Sequence, residues 1–216
     1  MQTHFEQELM DLKERLLTMA SHAEAAVSNS VKAWMERDDA LAQKVDHDDS
    51  ILDRLEKEID EMAIQLLSKA PLASDLRLIS VAMKVSQNLE RVGDEATKIA
   101  RRARDLNEEA PLKGWGDIPS MAQIALDMLK SALDSFVHRD PNRARAIIPR
   151  DKEVDLLNKK LHRELADYMV ADPATITRCL KLMVISKSLE RIADHATNVA
   201  EEVVYLCEAR DIRHEE

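Results

Sequence analysis

Residues 89–100 read LERVGDEATKIA and residues 189–200 read LERIADHATNVA, so leucine, glutamate, arginine, aspartate, alanine and threonine recur at identical spacing one hundred positions apart. The chain is therefore a tandem duplication. That restricts it to two similar units of about a hundred residues each, packed as one body. The duplicated feature is an acidic pair four residues apart, Glu90/Asp94 and Glu190/Asp194. On a helix such residues lie one above the other, about 6 Å apart along the axis. Two like charges so placed are mildly destabilising, and a chain that carries the pair in both copies, beside its apolar stripe, is expected to hold a cation there.

The units should be all-helical. Only 3% of the residues are aromatic, 33% are charged, and there are three glycines, a composition dominated by strong helix formers and poor for a sheet. The formal charge of -10 argues against a nucleic-acid surface and against adsorption to anionic lipid, and favours cations or basic protein surfaces. Cys179 and Cys207 fall on one predicted helix, about 40 Å apart by helical rise, and cannot bridge within it. We expect reduced core thiols and a cytoplasmic protein. The charged N-terminus lacks an apolar leader, and no uncharged run reaches the ~18 residues of a membrane span.

Apolar periodicity predicts helices over about Thr3–Arg37, Asp39–Lys69 and Ser74–Glu108 in the first half, with Asp38 capping the second helix and Ser74 or Asp75 the third. Pro71 stops the second helix. The stretch APLKGWGDIP, with two prolines and two of the glycines, separates the halves. A fourth helix is expected over Ile118–Arg139. A fifth runs from the Asp140-Pro141 start to about Val170, with a kink at Pro149, and a sixth opens at Asp172-Pro173 and leads to a frayed IRHEE tail. Arg139-Asp140 repeats Arg37-Asp38, so the duplication includes the first helix. The expected architecture is two tandem-repeat, up-down-up three-helix bundles, over residues 1–109 and 118–216 with a linker at 110–117.

A second set of acidic pairs lies on the preceding helices, Asp49/Asp53 and Asp151/Asp155. In an antiparallel hairpin, facing residues have numbers with a constant sum. Asp53 with Glu90 and Asp49 with Asp94 both give 143, centred on Pro71 and Leu72; Asp155 with Glu190 and Asp151 with Asp194 both give 345, centred on Asp172 and Pro173. Proline and capping signals place the turns at the same points, so four carboxylates should meet across each hairpin. By its sum with Asp53, Glu24 is a weaker further candidate, and Asp127 is its loose counterpart, with Lys130 nearby to neutralise it. A single acidic pair is ordinarily a solvated face; four that mirror one another across two turns suggest hard oxygen ligands for iron, manganese, magnesium, calcium or zinc. Gly93 and Ala193, small residues beside the glutamates, would leave room for an ion or a partner group. His47 and His195 sit within a turn of the pairs and are weak candidates, a lone histidine beside a charged face being more often a surface residue than a ligand, while Arg91 and Arg191 point away and would bridge to a neighbouring surface.

The duplicated LER(V/I)(G/A)D motifs, the upstream DxxxD motifs, the SDLRL opening of the third helix and the MxxxxE from Met19 to Glu24 together resemble the PhoU family of regulatory accessory proteins of phosphate-specific transport. The resemblance spans both halves. It implies two three-helix bundles, multinuclear iron or zinc clusters held by the E/DxxxD motifs, and frequent homodimers. It also implies negative regulation of the phosphate-starvation response, acting between the ATPase subunit of a phosphate ABC transporter and a membrane sensor histidine kinase, with the membrane reached only through those partners. Ala193 departs from the glycine frequent in the family's second motif and should narrow that site.

Enzymatic alternatives fare poorly. A ferritin-like di-iron oxidase or metal-storage bundle needs Glu-x-x-His on two helices, a pattern that occurs nowhere in this sequence. Nucleophile elbows, glycine-rich phosphate loops and zinc-protease motifs are missing too. A non-catalytic, metal-binding helical adaptor is the expected function, and the competing reading is a purely structural adaptor whose acidic pairs bind basic partner helices.

Overall fold

A computed structural model describes residues 4–70, 72–112 and 117–213, and among them there is no strand. The helices are α1 (His4–Glu36), α2 (Asp39–Leu67), α3 (Ala73–Asn107), α4 (Ile118–His138), α5 (Pro141–Ile147), α6 (Asp151–Ala171) and α7 (Ile176–Glu208). They form six rods in two three-helix bundles, because α5 and α6 are one rod broken in the middle. Thr3, Pro71, Gly114, Gly116 and the His214–Glu216 end of the tail, all used in the sequence reading, lie outside the described residues.

Local chemistry sets the helix ends. The repeated Arg-Asp dipeptide is a compact stop and start. Arg37 and Arg139 adopt left-handed φ values of 57° and 50°. The following Asp38 and Asp140 then cap the next helix, accepting from the amides of Leu41 at 2.9 Å and of Asn142 and Arg143 at 3.0 Å. Arg37 also donates to the carbonyls of Asn107 and Glu109, at 2.7 and 2.8 Å, closing the far end of α3. Asp172 caps a short 3-10 turn over Pro173–Thr175 through the Ala174 amide before α7 begins. The expected cap on α3 is not formed: the helix starts at Ala73 with Leu72 at its N-cap and no side-chain bond.

Pro149 does more than kink the fifth rod. Its ring and missing N–H cannot continue an α-helix, and residues 148–150 form a 3-10 turn instead. The equivalent position in α2 is His47, and α2 runs unbroken. As a result α5 packs on both α4 and α7, whereas α6 rests chiefly on α7.

The core follows the apolar stripes. Leu12, Leu16 and Met19 of α1 meet Leu52 and Ile59 of α2 and Ile79, Leu89 and Ile99 of α3, all at most 2% exposed. Each such side chain contributes roughly 1.5–3 kcal/mol. The halves join through their longest helices. Lys84 meets Glu202, Glu95 meets Ser188, and Lys181 reaches the Asp105 carbonyl, so α3 and α7 run antiparallel. The pairing is pseudo-symmetric: the Glu95–Ser188 contact is answered by His195 against Asn88, with the same two repeat positions exchanged between the halves.

Candidate metal centre

Each acidic seam is built on two antiparallel helices whose apolar stripes face the core, so carboxylates beside the stripes meet at the edge of the interface. At the first seam the charges that bear on Glu90 are Asp94, Glu56, Asp53 and Asp49. Burial first, and then these four carboxylates, push the Glu90 carboxyl up to about 7. Asp49 is also raised, by burial and by Asp94 and Asp53, against the opposing effect of the Thr97 hydroxyl beside it. The second seam repeats the arrangement. Asp194 is pushed up to about 6, by burial and then by Asp151 and Glu190, and Asp151 is raised by burial, Asp155 and Glu190. Asp49, Asp53, Glu90 and Asp94, and likewise Asp151, Asp155, Glu190 and Asp194, therefore lie within electrostatic reach of one another across their hairpins.

Among the described residues, no three His, Cys, Asp or Glu side chains close around one point as a finished metal-ligand group. The donor set nonetheless fits a hard cation. The Thr97 hydroxyl, in a residue 3% exposed, lies beside Asp49, and Asp151 lies beside Asp194, whereas the Thr197 hydroxyl is buried without a hydrogen-bond partner. Buried oxygens of this kind ordinarily find one, and oxygen-rich sites of carboxylates and hydroxyls suit iron, manganese, magnesium, calcium or zinc.

The weaker candidates lie elsewhere. Glu24 is not opposite Asp53; the charges acting on it are Lys130 and Asp134 of α4, and burial raises its carboxyl. From α1 it is His22, Ala25, Ala26 and Asn29 that face Asp49, across a small cleft. The numbering sum fixes height along a pair of helices and leaves rotation about the axis free. Asp127 is exposed and accepts from Gln123 on its own helix at 2.8 Å. His47 is exposed, and His195 is half-buried with Nδ1 3.0 Å from Asn88 Oδ1. Arg191 does bridge to a neighbour, reaching Glu95 of α3 at 3.1 Å.

Gly93 needs a different explanation from the one its size suggested. A Cβ at this position would stand 2.3 Å from Leu52 Cδ1 and 3.5 Å from Asp49 Oδ1. The space is filled by the side chain of Leu52, and no vacancy is held for an ion. In the second half, alanine at 193 is matched by the shorter Val154 in the place of Leu52.

Sequence reasoning missed two residues. Glu56 is a fifth carboxylate at the first seam, one turn beyond Asp53 and itself raised by burial and its acidic neighbours. Its spacing after Asp53 was the available signal. Lys187 forms a close ion pair with Glu190 and reduces the shifts of Asp151 and Asp194.

One carboxylate of each seam reaches a common face. Asp94 and Asp194 line a single groove of about 590 Å³ along the α3–α7 junction, together with Arg91, Lys98, Arg191 and His195. Its floor is Glu95, 4% exposed, which accepts from Ser188 Oγ at 2.7 Å, Lys98 Nζ at 2.8 Å and Arg191 Nη1 at 3.1 Å. Although burial pushes the Glu95 carboxyl up, these bonds hold it below the usual range. No helix among the described residues is long and apolar enough to cross a membrane.

Comparison with known proteins places this architecture. The PhoU domain model matches residues 16–103 and again 118–203. A phosphate-specific transport system accessory protein PhoU homolog of Rhizobium meliloti (strain 1021) is 42% identical over 94% of this chain and 86% of its own length. One of Pseudomonas putida is 41% identical over 97% of this chain and 83% of its own. The crystal structure of PhoU from Pseudomonas aeruginosa superposes with a TM-score of 0.93 at 40% identity, over 96% of this chain and all of that one. With two copies of the domain in tandem, acidic seams in matching places and relatives alike over nearly its whole length, the chain belongs to the PhoU family.

Proposed function

We propose that this chain is a non-catalytic regulator of phosphate uptake and of the phosphate-starvation response, a cytoplasmic, homodimeric helical adaptor between the ATPase subunit of a phosphate ABC transporter and a sensor histidine kinase. Family membership supports a regulatory accessory role in phosphate transport. The observation that carries the adaptor reading is the shared groove, where one carboxylate of each seam, Asp94 and Asp194, and two arginines line one face across the α3–α7 junction. Such a face recognises a charged protein surface and has no nucleophile paired with a base.

The seams are proposed to bind multinuclear iron or zinc. Asp49, Asp53, Glu56, Glu90 and Asp94 would hold the first cluster, and Asp151, Asp155, Glu190 and Asp194 the second. Bound cations would supply positive charge that cancels the repulsion within each seam. The chain's own residues set the geometry: the hairpin register brings the pairs level, and Thr97 and Thr197 add buried hydroxyls beside them. Nothing in the fold favours a ferritin-like oxidase, since the required Glu-x-x-His pairs do not occur.

Two measurements test this. Protein purified without chelator should carry several equivalents of iron or zinc, lost on Asp49→Asn/Glu90→Gln combined with Asp151→Asn/Glu190→Gln. Pull-downs against the transporter ATPase and the kinase, with and without phosphate, should retain at least one of them, and failure with both removes the adaptor reading.

A further inference from the structure

We propose that the two acidic seams are unequal cation sites: the first takes up a divalent metal ion strongly, and the second is held back by Lys187, whose ammonium already serves it as an internal counter-ion. This rests on the metal reading above and divides it between the halves.

The repeat makes the comparison position by position. At the first seam five carboxylates gather, Asp49, Asp53, Glu56, Glu90 and Asp94, and none of them is in an ion pair among the described residues. The charges acting most on Glu90 are all negative. One turn before Glu90 stands Gln87, exposed and neutral. Beside Asp49 stands the buried Thr97, and the second seam carries Thr197 at the same repeat position, so the threonines do not separate the two sites. Arg101 acts on Asp49 and Arg91 on Glu56, but Arg101 is paired with Asp46 and neither forms an ion pair with a seam carboxylate among the described residues, so this seam holds excess negative charge.

At the second seam the same positions are filled differently. Lys187 replaces Gln87, pairs with Glu190 and acts on Asp151 and Asp194. Lys159 pairs with Asp155 at 3.4 Å. Asn158 replaces Glu56 and accepts a hydrogen bond from Ser186. Four carboxylates remain, two of them claimed by lysines. A metal ion entering here must displace the Lys187 ammonium from Glu190 or sit beside it, and either route opposes binding.

The test uses full-length apo protein and iron(II) under argon, with bound metal counted by equilibrium dialysis and elemental analysis. Asp151→Asn/Glu190→Gln leaves the first seam alone, and Asp49→Asn/Glu90→Gln leaves the second. The first seam should bind more tightly than the second. Lys187→Gln, added to the variant that retains only the second seam, should tighten binding roughly ten- to a hundredfold, the usual span for a group adjoining metal ligands. Gln87→Lys, an exposed change on α3, should weaken the first seam by a similar factor. Circular dichroism confirms that each variant is folded. Equal affinities at the two seams, or no response to Lys187→Gln and Gln87→Lys, overturn the inequality while leaving metal binding intact. No iron bound by any folded variant overturns both readings together.

Discussion

Leu52 of α2 fills the space that a side chain at Gly93 of α3 would need, its Cδ1 lying 2.3 Å from where that Cβ would stand. The second half meets the same requirement with different volumes, a buried Val154 against a buried Ala193. Removing a methylene from one helix has accompanied adding a methyl to the other. Such paired changes are how tightly packed interiors keep their density.

Gly93→Ala should therefore destabilise the protein by about 1–3 kcal/mol, even though alanine is the better helix former by roughly 1 kcal/mol. Leu52→Val in the same molecule should recover most of the loss. Urea denaturation of the two single variants and the double variant measures this, and simple additivity of the effects would refute the coupling.

Glu95 fastens the two halves together, a 4% exposed carboxylate of α3 holding Ser188 and Arg191 of α7. Glu95→Ala should cost about 2–3 kcal/mol, because a buried charge-assisted network loses its acceptor. Calorimetry should show the fall, and a change within 0.5 kcal/mol of zero would mean that apolar packing alone sets the junction.

Stability of the metal-free protein should peak in mildly acidic solution. Glu90 keeps its proton up to about pH 7 in the fold, against 4.5 for an ordinary glutamate. The native state thus binds more protons between those values, and stability is lost as pH rises through them. Below that window Glu95, held under the usual range, protonates and stability falls again. After allowance for screening of a half-exposed group, about 1 kcal/mol is at stake, or roughly 2–4 °C between pH 5 and 7.5. Glu90→Gln should flatten that limb; a melting temperature that climbs across the same range in the apo protein contradicts the seam's electrostatics.

Asp140 accepts from two amides at the start of α5, at 3.0 Å each. Asp140→Ala should cost about 1 kcal/mol. Asp75→Ala should cost less, since α3 begins without a side-chain cap. Paired thermal melts compare the two.

Local chemistry, written in residues close along the chain, determined a great deal by itself. The repeat and the apolar periodicity specified an all-helical duplication, and Asp38, Asp140 and Asp172 marked their turns. Equal sums of residue numbers set Asp49 level with Asp94 and Asp155 level with Glu190, because hairpin length alone governs axial register. Rotation about each axis and contacts between distant segments have no such local record. Only the folded molecule turned Glu24 towards Lys130 and Asp134, brought Glu56 and Lys187 to the carboxylates, and filled the hollow beside Gly93 with Leu52. It also laid α3 antiparallel to α7, so that Asp94 and Asp194, a hundred residues apart, line one groove. The physical reason is that such placements depend on how whole stripes interlock: helical spacing says which face of a rod is apolar, while the partner that covers it is settled by packing among all the rods at once.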